Sequence, residues 1–133
     1  MASIMAMRGF ALVAPESVGA YVVYAPGAYD GARPLYVGKA ATQGVARRWR
    51  EQHLRDRAGG SALRRALGVH LHLVDQKLKR PDHYYPRDVE REITAFIERC
   101  GVVFHRAATA ADASALKAKL IHQLDPILNV VRS

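Results

Sequence analysis

The sequence predicts an α+β domain, a small three-stranded antiparallel sheet flanked by helices. Two short runs of β-branched and aromatic residues lie close together, Tyr21 to Tyr24 and Leu35 to Val37. A third, Val102-Val103-Phe104, follows only after three stretches with apolar residues at helical spacing. A strand pair followed by helices and then one more strand packs as helices on a small sheet, not as an alternating parallel fold.

Each element follows from local pattern. Tyr21-Val22-Val23-Tyr24 lies between Gly19 and the Pro26-Gly27 turn signal. After the loop from Ala25 to Pro34, Leu35-Tyr36-Val37 ends at Gly38, and a loop of that length predicts a hairpin. A helix is expected from Gly44 to Arg57, with Val45 and Trp49 inward, stopped by Gly59-Gly60. Ser61 reads as the N-cap of the next helix. Within that helix Leu63, Leu67, Leu71, Val74 and Leu78 recur at intervals of four, four, three and four. Val69, Leu71 and Leu73 alternate as in a strand, but the helical matches outnumber them, so the helix is expected to run on to Leu78. The segment from Arg80 to Arg87, with two prolines and Tyr84-Tyr85, reads as a loop. Asp88 is expected to cap a helix with Val89, Ile93, Phe96, Ile97 and Cys100 on one face, ended by Gly101. Asp112 is expected to open the last helix, with Leu116, Leu120, Ile121 and Leu124 inward, closed by Asp125-Pro126.

Composition narrows the function. A chain of 133 residues is expected to form one domain over 1–133. Half its residues are apolar and a quarter charged, which excludes intrinsic disorder. The single cysteine excludes a disulfide scaffold and a multi-cysteine zinc site. No apolar run approaches the ~20 residues of a membrane span, and Met1 to Ala14 lacks the pattern of a secretory signal, so the expected location is cytoplasmic. The net charge is +8 and the pI about 10.1. Between Lys39 and Arg65 lie eight basic residues (Lys39, Arg47, Arg48, Arg50, Arg55, Arg57, Arg64 and Arg65) against two acids, so most of the excess falls in one fifth of the chain. Such a concentration points to nucleic acid as the partner, with no membrane involved.

Three simpler sites are excluded. Gly38-Lys39 is not a phosphate loop, because position 33 is Arg where a Gly is needed and Ala40 stands where Ser or Thr would hold magnesium. His70 and His72 on the expected helix are about 200° apart and cannot share a metal. Cys100 lies on the apolar face of its helix and reads as core.

A more specific constellation remains: Gly19-Ala20-Tyr21, then Tyr36-Val37-Gly38-Lys39, then Arg47-Arg48-Trp49 and His53. Farther on come Ser61, Leu63, Arg64 and Arg65, and the ending Leu120-Ile121 … Pro126-Ile127-Leu128-Asn129. In these motifs, over roughly Gly19 to Val130, the chain resembles the GIY-YIG nuclease family, whose two eponymous tripeptides sit on adjacent strands. The resemblance implies a DNA endonuclease that hydrolyses phosphodiester bonds with a divalent metal, Mg2+ or Mn2+.

What the resemblance implies for the residues can be set beside the chemistry. Hydrolysis requires a base to activate water and cations to neutralise charge on the pentacoordinate phosphate. Tyr21 and Tyr36 match the tyrosines that act as base or orient the water. Arg48 matches the arginine whose planar fork holds the scissile phosphate. His53 and Asn129 complete the catalytic set, and Lys39, Arg47, Arg50, Arg64 and Arg65 would bind the nucleic-acid backbone, DNA rather than RNA. A tyrosine has a pKa near 10, so a base would need a lowered value, which Lys39 and Arg48 are expected to supply.

Three departures from the family pattern stand out. Ala20 replaces the usual Ile or Val, and the histidine expected four residues after Arg48 is Gln52, with His53 one further on. The third affects the metal. Three residues before Leu120-Ile121 the family has its metal-binding glutamate, and this chain has Lys117. The expectation is therefore a nuclease scaffold that is inactive as written. The alternative is a nucleic-acid-binding module that has kept the fold without catalysis.

Overall fold

The structure, a computed structural model, describes residues 3–6, 18–28, 32–40, 61–78 and 84–129. Its elements are β1 (Ser3–Ala6), β2 (Gly19–Tyr24), β3 (Tyr36–Ala40), α1 (Ala62–His70), α2 (Arg87–Arg99), β4 (Gly101–Arg106) and α3 (Ala110–Leu124). The strands form one antiparallel sheet in the order β1-β4-β2-β3. The three expected strands are all present, and β2 and β3 make the expected hairpin. A fourth strand, β1, extends the sheet beyond β4. Its sequence, Ser3-Ile4-Met5-Ala6, holds a single β-branched residue and carries little strand signal.

Alternation along the strands divides the core into two layers. Tyr21, Val23, Tyr36, Ala40, Val102 and Phe104 share one face, against Leu63 and Leu67 of α1 and Val89, Ile93 and Ile97 of α2. Ala20, Val22, Tyr24, Val37 and Val103 share the other, against Leu120 of α3 and its neighbours Leu116, Ile121 and Leu124. Among the described residues the sheet is thus covered on both faces, by α1 and α2 on one and by α3 on the other. No helix among the described residues is long and apolar enough to cross a membrane.

Helix boundaries differ from expectation in three places. α1 ends at His70 rather than Leu78. His72 takes a left-handed φ of 59°, its N–H bonds to the Val69 carbonyl, and the Leu73 N–H bonds to the Gly68 carbonyl, both at 3.0 Å. This pair of bonds is the Schellman termination of a helix, here with histidine in the position glycine usually takes. Leu73, Val74 and Leu78 still pack against the core, but from irregular chain. α2 starts after Pro86, with Asp88 in its first turn rather than at the cap. α3 is capped by Thr109, whose hydroxyl accepts the Asp112 N–H at 3.1 Å. The expected helix from Gly44 to Arg57 lies outside the described residues.

The chain after α3 returns to the sheet. Asp125 turns in a left-handed conformation (φ 48°), and its carbonyl accepts Arg33 Nε at 2.6 Å. Ile127 and Leu128 then donate their N–H groups to the carbonyls of Pro34 and Leu35. The C-terminal segment is thereby laid along the approach to β3.

Candidate active site

The hairpin places the two tyrosines of the tripeptides together. Tyr21 stands opposite Gly38, and Tyr36 stands opposite Val23, two residues along β2 on the same face. The ring centroids are 6.5 Å apart and the planes are tilted by 42°. Tyr21 is fully buried and Tyr36 is 6% exposed. The glycines make this approach feasible. A Cβ at position 38 would fall on the Cζ and hydroxyl of Tyr21, and one at position 19 on the His105 carbonyl of β4. Each motif glycine therefore holds a close contact, one side chain to strand and one strand to strand.

Lys39 follows the alternation to the opposite face. Its Nζ donates to Ser114 Oγ of α3 at 2.8 Å. It therefore lies on the far side of the sheet from the tyrosine rings, contrary to the expectation that it lowers their pKa. Lys117 is half-buried on α3, one turn beyond Ser114. Ser114 is a residue that sequence reading missed; its spacing of three before Lys117 was the available signal.

Asn129 is bound on both sides of its amide. Its Oδ1 accepts the Val37 N–H at 2.7 Å, and its Nδ2 donates to the Val37 carbonyl at 2.8 Å. The side chain thus mimics a neighbouring strand and clips the C-terminal segment to the strand that carries Tyr36. This geometry gives Asn129 a positioning role.

Arg64 corrects the sequence reading. It was expected to contact nucleic acid, yet its side chain is completely buried. Its guanidinium bonds to Glu90 Oε1 at 2.9 Å, to the Glu90 carbonyl at 2.7 Å and to Thr94 Oγ1 at 2.8 Å. The second Glu90 carboxylate oxygen accepts the Tyr85 N–H at 2.9 Å. Tyr85 in turn donates its hydroxyl to the Arg65 carbonyl at 2.7 Å and accepts the Leu78 N–H at 3.1 Å. One buried network thus joins α1, α2 and the segment after α1. Arg65 is half-buried and lines a surface hollow. Arg47, Arg48, Arg50 and His53 lie outside the described residues.

Burial sets the titration of three groups. It pushes the Cys100 thiol up to about 12, as expected of a core cysteine, and its Sγ rests 3.4 Å from the Phe96 carbonyl. It raises Tyr85 above the ordinary tyrosine value and lowers His105 below the ordinary histidine value. Among the described residues no three of His, Cys, Asp and Glu converge as metal ligands. Asp112, the acidic residue of α3 before its C-cap, is about 140° round the helix from Lys117.

Comparison with known proteins bears on this arrangement at the level of the family. No curated protein and no solved structure matches the chain significantly. The family model of the GIY-YIG catalytic domain matches residues 21–132. That span runs from the first tyrosine of the hairpin past the Asn129 clip, and so takes in Tyr21, Tyr36, Gly38 and Asn129. The chain belongs to the GIY-YIG family and has the scaffold of a nuclease.

Proposed function

We propose that this chain binds DNA through its phosphates and does not hydrolyse it, as a GIY-YIG domain whose metal site has become cationic. One observation carries the reading: the Lys39 ammonium is hydrogen-bonded to Ser114, one turn from Lys117 on the same helix. The family implies a divalent metal here, Mg2+ or Mn2+, held by a glutamate at position 117. The residues present do not fit it. An ammonium about 4 Å from a dication, at an effective dielectric near 20, is repelled by on the order of 8 kcal/mol. A second ammonium on the neighbouring strand adds to that field. The same pair of cations suits a phosphate, for which lysine is a point-charge partner.

The remaining cations extend the contact. Lys39, Arg47, Arg48, Arg50 and Arg65 supply basic charge in one stretch of sequence, while Arg64 is removed from the set by its burial. If about four phosphates are neutralised, log affinity for duplex DNA should fall with log salt at a slope near −4. A salt titration of duplex binding tests the reading. A slope close to zero between low and moderate salt would overturn it.

A further inference from the structure

The outer side of α1 carries a groove that the tyrosine hairpin does not use. It has two hollows that share Lys77. One, of about 490 Å³, lies between Arg65 and the segment Gln76-Lys77-Leu78. The other, of about 480 Å³, lies between Val69 and His70 of α1 and the C-terminal segment at Ile127. Both walls are fixed. The Tyr85 hydroxyl ties Leu78 to the Arg65 carbonyl, and backbone bonds from Ile127 and Leu128 hold the far wall to Pro34 and Leu35. Both hollows are open to solvent, the shape of a surface track rather than of an enclosed pocket.

The lining identifies the ligand. Two of the three large hydrophobic side chains exposed among the described residues, Val69 (36%) and Ile127 (42%), lie in this groove. Beside them stand Arg65, Lys77 and His70, against one acid among the described lining residues, Asp75. Apolar surface interleaved with cations suits a strand whose bases are uncovered. A duplex stacks its base faces against one another and presents chiefly phosphates to such a surface. The groove also runs to Asn129, whose amide is bound to Val37 beside Tyr36.

We propose that this groove is a track for single-stranded nucleic acid leading to the tyrosine strand, an inference that rests on the nucleic-acid reading above. Phosphates lie against Arg65 and Lys77, and bases lie against Val69 and Ile127. The test is fluorescence anisotropy of the full chain with a labelled oligothymidylate of about a dozen nucleotides and with a duplex of equal length. Lys77→Glu and Ile127→Asp are each expected to weaken single-strand binding about tenfold, the loss of one charge-assisted contact or of one covered aliphatic side chain, and to leave duplex binding within a factor of about three. Arg91→Glu, a charge change of equal size on exposed α2 surface, should leave the ratio of the two affinities unchanged. If the unmodified chain binds both probes and neither groove variant changes its single-strand affinity, the track is overturned and DNA binding stands. If the unmodified chain binds neither probe, both readings fall together.

Discussion

Tyr21 fills the space that a side chain at position 38 would need on the facing strand. The second tripeptide therefore ends in glycine because of a tyrosine in the first. Gly38→Ala should cost about 2–3 kcal/mol, the upper range for overpacking a close contact, and urea denaturation would measure it. In the background of Tyr21→Ala the same substitution should cost little, since the clash is gone. An undiminished cost in that background would show that position 38 is constrained by something other than Tyr21.

Arg64 is held by a buried carboxylate, and its removal takes the guanidinium out of that buried pair. Arg64→Ala should destabilise the fold by about 3–5 kcal/mol. Paired replacement of Arg64 and Glu90 by apolar residues of similar volume should cost far less. Equilibrium unfolding of the two variants checks this. The folded fraction of Arg64→Ala should bind DNA with an unaltered salt slope, because the guanidinium does not reach solvent.

The hairpin was legible in the sequence because strand period and paired glycines constrain both strands at once. Tyr21 and Tyr36 meet for that reason. The helical repeat after Ser61 misled because Leu71, Val74 and Leu78 reach the core at helical intervals from chain that is not helical. No residue type announces the left-handed His72 that ends α1. Arg64 looked like part of a basic face, yet it lies on the stripe with Leu63, Leu67 and Gly68 that α1 buries. Its partner is 26 residues away, and such a pairing has no local signal. Lys39 was assigned to the tyrosine site by sequence proximity, although strand alternation sends it to the other face.

Asn129 should act through the strand it clips. Asn129→Ala removes both the acceptor of the Val37 N–H and the donor to the Val37 carbonyl. A loss of about 2 kcal/mol is expected, the sum of two ordinary hydrogen bonds. Hydrogen exchange at the Val37 amide should quicken more than exchange at Val103 in the sheet centre. Equal quickening at both would mean a global effect and no clip.

His105 on β4 should make the fold sensitive to mild acid. Burial holds its pKa below the ordinary 6.5, so between that value and the folded-state value the unfolded chain binds the proton more readily. The stability is fully present above about pH 6.5 and is lost as the pH falls through the folded pKa. Thermal melts from pH 7 to pH 5 should therefore show a falling Tm. His105→Gln should flatten that dependence, and an unchanged slope would place the acid sensitivity at other groups.

Lys117 decides between a nuclease and a DNA-binding domain on the same scaffold, so the direct measurement is nicking of supercoiled duplex DNA in Mg2+ and in Mn2+. The chain as it stands should bind the substrate and leave it intact. Lys117→Glu should introduce metal-dependent nicking that Tyr36→Phe then abolishes. Robust Mg2+-dependent nicking by the unmodified chain, lost on Tyr36→Phe or Arg48→Ala, would contradict the account.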